Sequence, residues 1–280
     1  MQTKRYYLAL ACCVALPLLY GCNTTNYGDN QFKLSMASSG KDVMWVPTKV
    51  EMADQMLTLA QVHPGDRVYD LGSGDGVIPI EAAKKYQVYA VGIEYNPDLV
   101  KLSQRNAERA KVESLVTFKQ GDIFVEDFSQ ATVLTLYLGE NLNTKLMPTI
   151  LNMQAGTRVV SNTFRMESWI PDQEVSISNG EMAYLWVVPA NIDGSWQWNG
   201  PSELGDIRFE IRQKKQFFDG ALYQGDKRVA QFEDGRIRGS DLEFGFAYQN
   251  TNYLFRGRIN GANMTGILNN NPSLAVNGKR

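Results

Sequence analysis

Residues 68–76, VYDLGSGDG, place an acid, Asp70, two positions before the first of three glycines, Gly72, Gly74 and Gly76. The glycines alternate with small or acidic residues, straight after an apolar run and straight before VIPIEAAKKY. Glycine loses more conformational entropy on folding than any other residue. Three of them at this spacing, where a strand turns into a helix, imply a ligand that approaches the backbone closely. Two cofactor classes use such a loop. The dinucleotide fingerprint needs Gly-x-Gly-x-x-Gly, and here the third glycine comes one residue early. A phosphate-cradling P-loop is excluded, because no Gly-Lys-Ser/Thr follows. The chain has one histidine, His63, read as a surface loop residue, so a histidine pair or a His-rich metal site is absent. All three cysteines, Cys12, Cys13 and Cys22, precede residue 23, which removes internal disulfides, thiolate zinc sites and cysteine nucleophiles from the remainder. No metal is expected.

The elements that must position this loop are legible from periodicity. Val50, Met52, Met56, Leu59 and Ala60 recur at helical spacing over residues 49–62, and Pro64-Gly65 breaks the pattern. Residues 67–71 read as a strand, 76–86 as a helix and 88–94 as a strand. Pro97 opens a helix through about Lys111, since proline suits a first turn. Strands follow at 115–120 and 131–138, a helix at 143–153, and strands at 157–164 and 183–190. This alternation predicts an α/β fold with a doubly wound, mostly parallel sheet, in which ligands bind beyond the carboxyl ends of the strands where the topology switches. After residue 192 helical patterns vanish. Runs such as DIRFEIRQ, DLEFGFAYQ and NYLFRGRI alternate between glycine and asparagine punctuation, which predicts a small antiparallel β domain, barrel or sandwich. GRIRGSDL (235–242) and GRINGANM (257–264) form a weak repeat, read as two similar hairpins.

Acid-x-Gly-x-Gly-x-Gly resembles motif I of the class I S-adenosylmethionine-dependent methyltransferases, a Rossmann-like fold. The resemblance implies that Gly72, Ser73 and Gly74 approach the methionine part of the cofactor and that Asp70 interacts with its amino end. It also implies a ribose-binding acid after the second strand, met by Glu94 at the end of VYAVGIE. An acid near the adenine after the next strand is met by Asp122 in FKQGDIF, with Ile123 packing on the ring. Val46-Pro47-Thr48, the glycine loop, VGIEYNPDLV, GDIF, LYLGENLNTKL and RVVSNTF together resemble the small protein-lysine methyltransferases of the FAM173 type, over about residues 44–170. Members of that group methylate lysines in mitochondrial membrane proteins, a component of ATP synthase among them. Val77 stands where the group more often has arginine. By this resemblance Val46, Pro47 and Thr48 close over the cofactor. Tyr137 and Glu140, in the segment facing the methyl group, are the candidates for shaping the amine site, and a protein lysine is the expected acceptor. The alternative, from another class, is an envelope-anchored binding protein that keeps the fold without catalysis.

The chain has 280 residues and a formal net charge of −2, with 28 basic and 30 acidic residues. No basic block stands out, which disfavours a nucleic-acid partner. Lys4 and Arg5 precede an apolar stretch over residues 6–20, the length of a signal-peptide core. It ends in Leu19-Tyr20-Gly21-Cys22, which resembles a bacterial lipobox. The expected organisation is a lipoprotein signal at 1–21, a flexible tether at 22–42 with lipid on Cys22, a methyltransferase domain at 43–191 and the β domain at 192–280. That organisation implies a membrane-anchored protein of the cell envelope. S-adenosylmethionine is made inside the cell, and a start at Met36 would instead give a cytoplasmic protein that keeps the whole domain.

Overall fold

The computed structural model describes residues 29–32, 44–177, 180–199 and 204–280. The apolar leader, Cys22 and Met36 lie outside the described residues. Residues 29–32 belong to a first unit, Met1–Met36, in which the Gln31 N–H donates to Asp29 Oδ1 at 2.7 Å; all other described residues fall in a second, Ala37–Arg280. Among the described residues no helix is long and apolar enough to cross a membrane.

Helix α1 (Val50–Leu59) turns Met52, Ala53, Met56, Leu57 and Leu59 inward. Strand β1 (Arg67–Leu71) is buried at every position after the first. It leads through the glycine loop into α2 (Val77–Tyr86), then β2 (Tyr89–Glu94) and α3 (Pro97–Ala110). The start of α3 is fixed by Asn96, whose side chain accepts from the Asp98 N–H, and by Pro97 in the first turn. Then come β3 (Val116–Gln120), β4 (Val133–Leu136), α4 (Glu140–Leu151), β5 (Arg158–Asn162), β6 (Gln173–Ser176) and β7 (Met182–Val187). The sheet order is β3-β2-β1-β4-β5-β7-β6. The first five strands run parallel, and β7 runs antiparallel to both β5 and β6. Helices covering the sheet explain why β4 is buried along its whole length, as parallel strands usually are. The order reverses between β1 and β4, so the switch point falls where Asp70 pairs with Gly92 on one side and Thr135 on the other.

Two expectations shift. The strand expected over 131–138 ends at Leu136, because the chain leaves the ladder to form a wall beside the glycine loop, and α4 starts three residues earlier than its apolar spacing indicated. Strand β6 carries no alternation, since as a short edge strand it is mostly exposed on both faces.

The C-terminal region is a closed antiparallel barrel: β8 (Gly194–Asn199), β9 (Asp206–Lys214), β10 (Phe217–Gln224), β11 (Lys227–Arg238), β12 (Asp241–Tyr248), β13 (Thr251–Asn260), β14 (Asn263–Leu268) and β15 (Asn271–Lys279). Strand β15 closes on β8 through Asn277 opposite Asn199. The repeated GRI segments are the ends of β11 and β13, each followed by a two-residue turn that starts on a glycine at φ +60° (Gly239) or +59° (Gly261). Glycine in the first central position suits the type II′ turn that matches strand twist. The interior is filled by aromatic rings: the Trp198 centroid lies 3.9 Å from Phe209, 4.5 Å from Phe255 and 5.9 Å from Phe244. The barrel docks at the amino ends of the parallel strands. There Ala190 N–H donates to Gly239 O at 2.7 Å, the Gln216 amide donates to Ile170 O at 2.6 Å, and Arg236 pairs with the buried Asp172 at 3.1 Å.

Candidate active site

The glycine loop hangs on the end of the neighbouring strand. The N–H groups of Gly72 and Ser73 both donate to Ile93 O, at 2.8 and 3.1 Å, and Gly76 N–H donates back to Ser73 O at 2.8 Å. Gly72 and Gly74 sit at φ +77° and +54°, the left-handed region that side chains with a Cβ avoid. A Cβ on Gly72 would run into Leu138, and one on Gly74 into the indole of Trp45. Thus the glycines make room for two of the chain's own side chains, which wall the space above the loop, as well as for a ligand.

Glu94 clamps this arrangement. Its Oε2 accepts from Gly74 N–H at 2.9 Å and its Oε1 from Asn96 N–H at 2.8 Å. Asp70 accepts a hydrogen bond from the Thr135 hydroxyl at 2.7 Å, a contact set by their pairing in the sheet. Burial pushes the Asp70 carboxyl up to about 7, against the Thr135 hydrogen bond and with help from the charges of Glu94 and Asp75. Burial likewise raises Asp75 to about 6, opposed by hydrogen bonds from its own N–H and that of Val77. After β3, Asp122 accepts from Phe124 N–H at 3.0 Å and so shapes its own turn.

These groups line a cleft at the carboxyl ends of β1 to β4. Val46, Thr48, Asp70, Gly72, Ser73, Gly74, Glu94, Asp122, Ile123 and Tyr137 all face it. Pro47 and Glu140 are not among its lining residues; Glu140 is exposed at the first turn of α4. The lining also includes Trp45, Asp75, Tyr95 and Leu138, which sequence reasoning did not single out. Trp45 had a signal, an aromatic beside Val46-Pro47-Thr48 just before the first helix. Leu138 had none, being one apolar residue in an apolar run.

The fit to a nucleoside cofactor rests on two features. Ser73 Oγ is buried without a hydrogen-bond partner, which in a native site calls for an additional group. Each Glu94 oxygen holds one backbone bond, which leaves acceptor capacity for hydroxyl groups.

Comparison with known proteins agrees with this geometry. The profile of the ANTKMT methyltransferase domain matches residues 70–173. A protein-lysine N-methyltransferase of Saccharolobus islandicus (strain REY15A) is 38% identical over 151 residues, which make up 52% of this chain and 94% of that protein. The adenine nucleotide translocase lysine N-methyltransferase of Mus musculus is 30% identical over 130 residues, 46% of this chain and 56% of the mouse protein. The chain therefore spans little more than half the length of that mouse relative and nearly all of the archaeal one. Among solved structures, an RNA methyltransferase from Salinibacter ruber in complex with S-adenosyl-L-homocysteine shares 48% identity, with a TM-score of 0.51 over 52% of this chain and 96% of that one. The glycine loop and its acids thus stand in a fold that binds this nucleoside elsewhere, and the chain belongs to the class I S-adenosylmethionine-dependent methyltransferases, in the family of the ANTKMT methyltransferase domain.

Proposed function

We propose that this methyltransferase modifies the ε-amine of a protein lysine. The observation that carries this reading is the match to the archaeal protein-lysine N-methyltransferase across 94% of that enzyme. The rim of the cleft supports it. Met44, Val46, Tyr95, Phe124 and Val125 are exposed apolar side chains around or beside the opening, a surface suited to a polypeptide. An RNA acceptor is the second reading, favoured by the description of the Salinibacter structure. Against it stand the net charge of −2 and the acids at the cleft, which do not attract phosphates.

When bound, S-adenosylmethionine supplies an electrophilic methyl group on a sulfonium sulfur that leaves as a neutral thioether. Asp70, once ionised, attracts the cofactor's amino end, while Gly72, Ser73 and Gly74 admit its methionine part close to the backbone. Glu94 accepts from the ribose hydroxyls, and Asp122 and Ile123 flank the adenine. Val46 and Thr48, with Trp45, cover the site and exclude water. Tyr137 orients the acceptor nitrogen. Burial, then the nearby charge of Glu181, raises its phenol above the ordinary tyrosine value, so it stays protonated and accepts or donates a hydrogen bond without acting as a base. Glu140, outside the cleft, is assigned no part in this arrangement.

The test is transfer of label from tritiated S-adenosylmethionine. Protein bands should carry it and purified total RNA should not; label confined to RNA rejects the lysine reading. For the full chain we further propose a lipid anchor at Cys22. Radiolabelled palmitate should mark the wild-type protein in cells and not Cys22→Ser; an unlabelled wild type would favour the cytoplasmic start at Met36.

A further inference from the structure

The ends of β4 and β5 and the approach to β7 bring a second set of side chains to one side of the cleft. Tyr137 stacks on Phe164, with centroids 6.1 Å apart and planes 30° apart. An uncommon backbone holds Phe164 there. Its N–H donates to Asn162 O at 2.7 Å across a single residue, Thr163, at φ +62°. This is a γ-turn in its positive-φ form, which is rare and strained, and a β-branched residue aggravates the strain. Two clamps impose it. Thr163 N–H donates to Met182 O at 2.7 Å, and the buried Asn143 amide donates to Ser161 Oγ at 2.9 Å and to Phe164 O at 3.1 Å. Strain of this kind persists where the surroundings over-determine it, and it gathers at functional sites.

Asn162, fully buried, extends the set. Its amide donates to Glu181 Oε2 at 3.4 Å and to Met52 Sδ at 2.9 Å. Glu181 is half-buried and has no lysine or arginine partner among the described residues. Its charge reaches Tyr137, where it and burial act in the same direction on the phenol. A carboxylate without a lysine or arginine partner among the described residues, held by Asn162 two positions before Phe164 and acting by its charge on Tyr137, is an incomplete ion pair.

We propose that Glu181, with the stacked Tyr137 and Phe164, forms the seat for the charged amine of the substrate lysine. This rests on the protein-lysine reading and names the group that recognises the acceptor. The carboxylate gives the ammonium a charge-assisted hydrogen bond, and the bound amine releases one proton to solvent before its lone pair takes the methyl group. The rings flank the aliphatic stem and present π faces to the cation. The same carboxylate repels a phosphate backbone, so the seat discriminates between the two acceptor classes.

The experiment compares wild type with Glu181→Gln, which keeps size and an acceptor for Asn162 but removes the charge. The probes are a capped Gly-Lys repeat peptide and total RNA, each with tritiated S-adenosylmethionine, with S-adenosylhomocysteine affinity measured by calorimetry. The KM for the peptide should rise roughly tenfold, with S-adenosylhomocysteine affinity unchanged, and Glu181→Asp should recover part of the loss. An unchanged KM in Glu181→Gln overturns the seat and leaves the lysine reading standing. A KM change matched by lost S-adenosylhomocysteine affinity places Glu181 on the cofactor side and also overturns it. A wild type that labels RNA and not the peptide removes the lysine reading, and the seat with it.

Discussion

Glu94 and Asp70 stand one strand apart, yet the fold treats them oppositely. Glu94 accepts two backbone N–H bonds that hold the glycine loop in shape. Glu94→Gln keeps one of these and loses the other, with a charge that hydrogen bonds had stabilised. Urea unfolding should show a loss of about 1.5–3 kcal/mol, together with weaker S-adenosylhomocysteine binding by calorimetry. Asp70 is a burden on the ligand-free fold. Its carboxyl is pushed up to about 7 from an ordinary value of 3.8, and burial is the main cause. Below pH 3.8 it is protonated in both folded and unfolded chains and contributes no penalty. Between pH 3.8 and about 7 the unfolded chain has released the proton and the folded one retains it, so stability falls as pH rises. Above about 7 the penalty is complete, with a ceiling of about 4 kcal/mol. Asp70→Asn, which still accepts from Thr135, should raise the Tm of the ligand-free protein at about pH 8 and lose that advantage at about pH 3.5. Cofactor affinity should run the other way: in wild type it strengthens as pH climbs from about 6 to about 8, and in the variant calorimetry should show that dependence reduced.

At the level of elements, the strand–loop–helix order from residue 50 to 162 was legible because each segment repeats a single period long enough to be read. The glycine loop, Glu94 and Asp122 were legible because each lies at a strand end, and strand ends follow from the alternation. Strand β6, the γ-turn at Thr163 and Glu181 were not. A four-residue edge strand has no period, and a γ-turn built on threonine has no composition signal, since tertiary clamps rather than local preference hold it. Glu181 is brought to Asn162 at the end of β5 by the antiparallel insertion of β7 between β5 and β6, which no local pattern encodes. The γ-turn makes its own prediction. Thr163→Gly should stabilise the protein by about 1 kcal/mol in urea unfolding, because glycine accepts positive φ without strain, whereas Thr163→Ala, which loses the β-branch but keeps a Cβ at positive φ, should recover only part of that. If the turn also positions Phe164, the glycine variant should show a higher KM for the lysine peptide despite its greater stability.

On the scale of the whole molecule, the barrel and the cleft lie at opposite ends of the parallel strands, and one segment joins them. Residues 163–172 leave the carboxyl end of β5 carrying Phe164 and run down to the amino end, where Asp172 accepts from Val187 N–H at 2.8 Å. The lower half is fastened twice over. Within the sheet domain, Trp169 O accepts from the Trp186 indole at 2.8 Å. From the barrel, Lys215 bonds the backbone and hydroxyl of Ser168, Gln216 bonds Ile170 O, and Arg236 pairs with Asp172. The barrel interior is packed with rings, and the strap is one route by which the barrel reaches the chemistry. Arg236→Ala leaves Asp172 buried without its cation; because the arginine is half exposed, the loss should be modest, about 1 kcal/mol. Lys215→Ala combined with Gln216→Ala leaves that ion pair intact and frees the middle of the strap. The double variant should then bind S-adenosylhomocysteine like wild type, because the glycine loop and the ends of β2 and β3 touch none of these residues, but it should bind the lysine peptide less tightly. A matched loss of both affinities would mean that the barrel supports the fold as a whole, and no loss of either would make it a separate module that happens to share the chain.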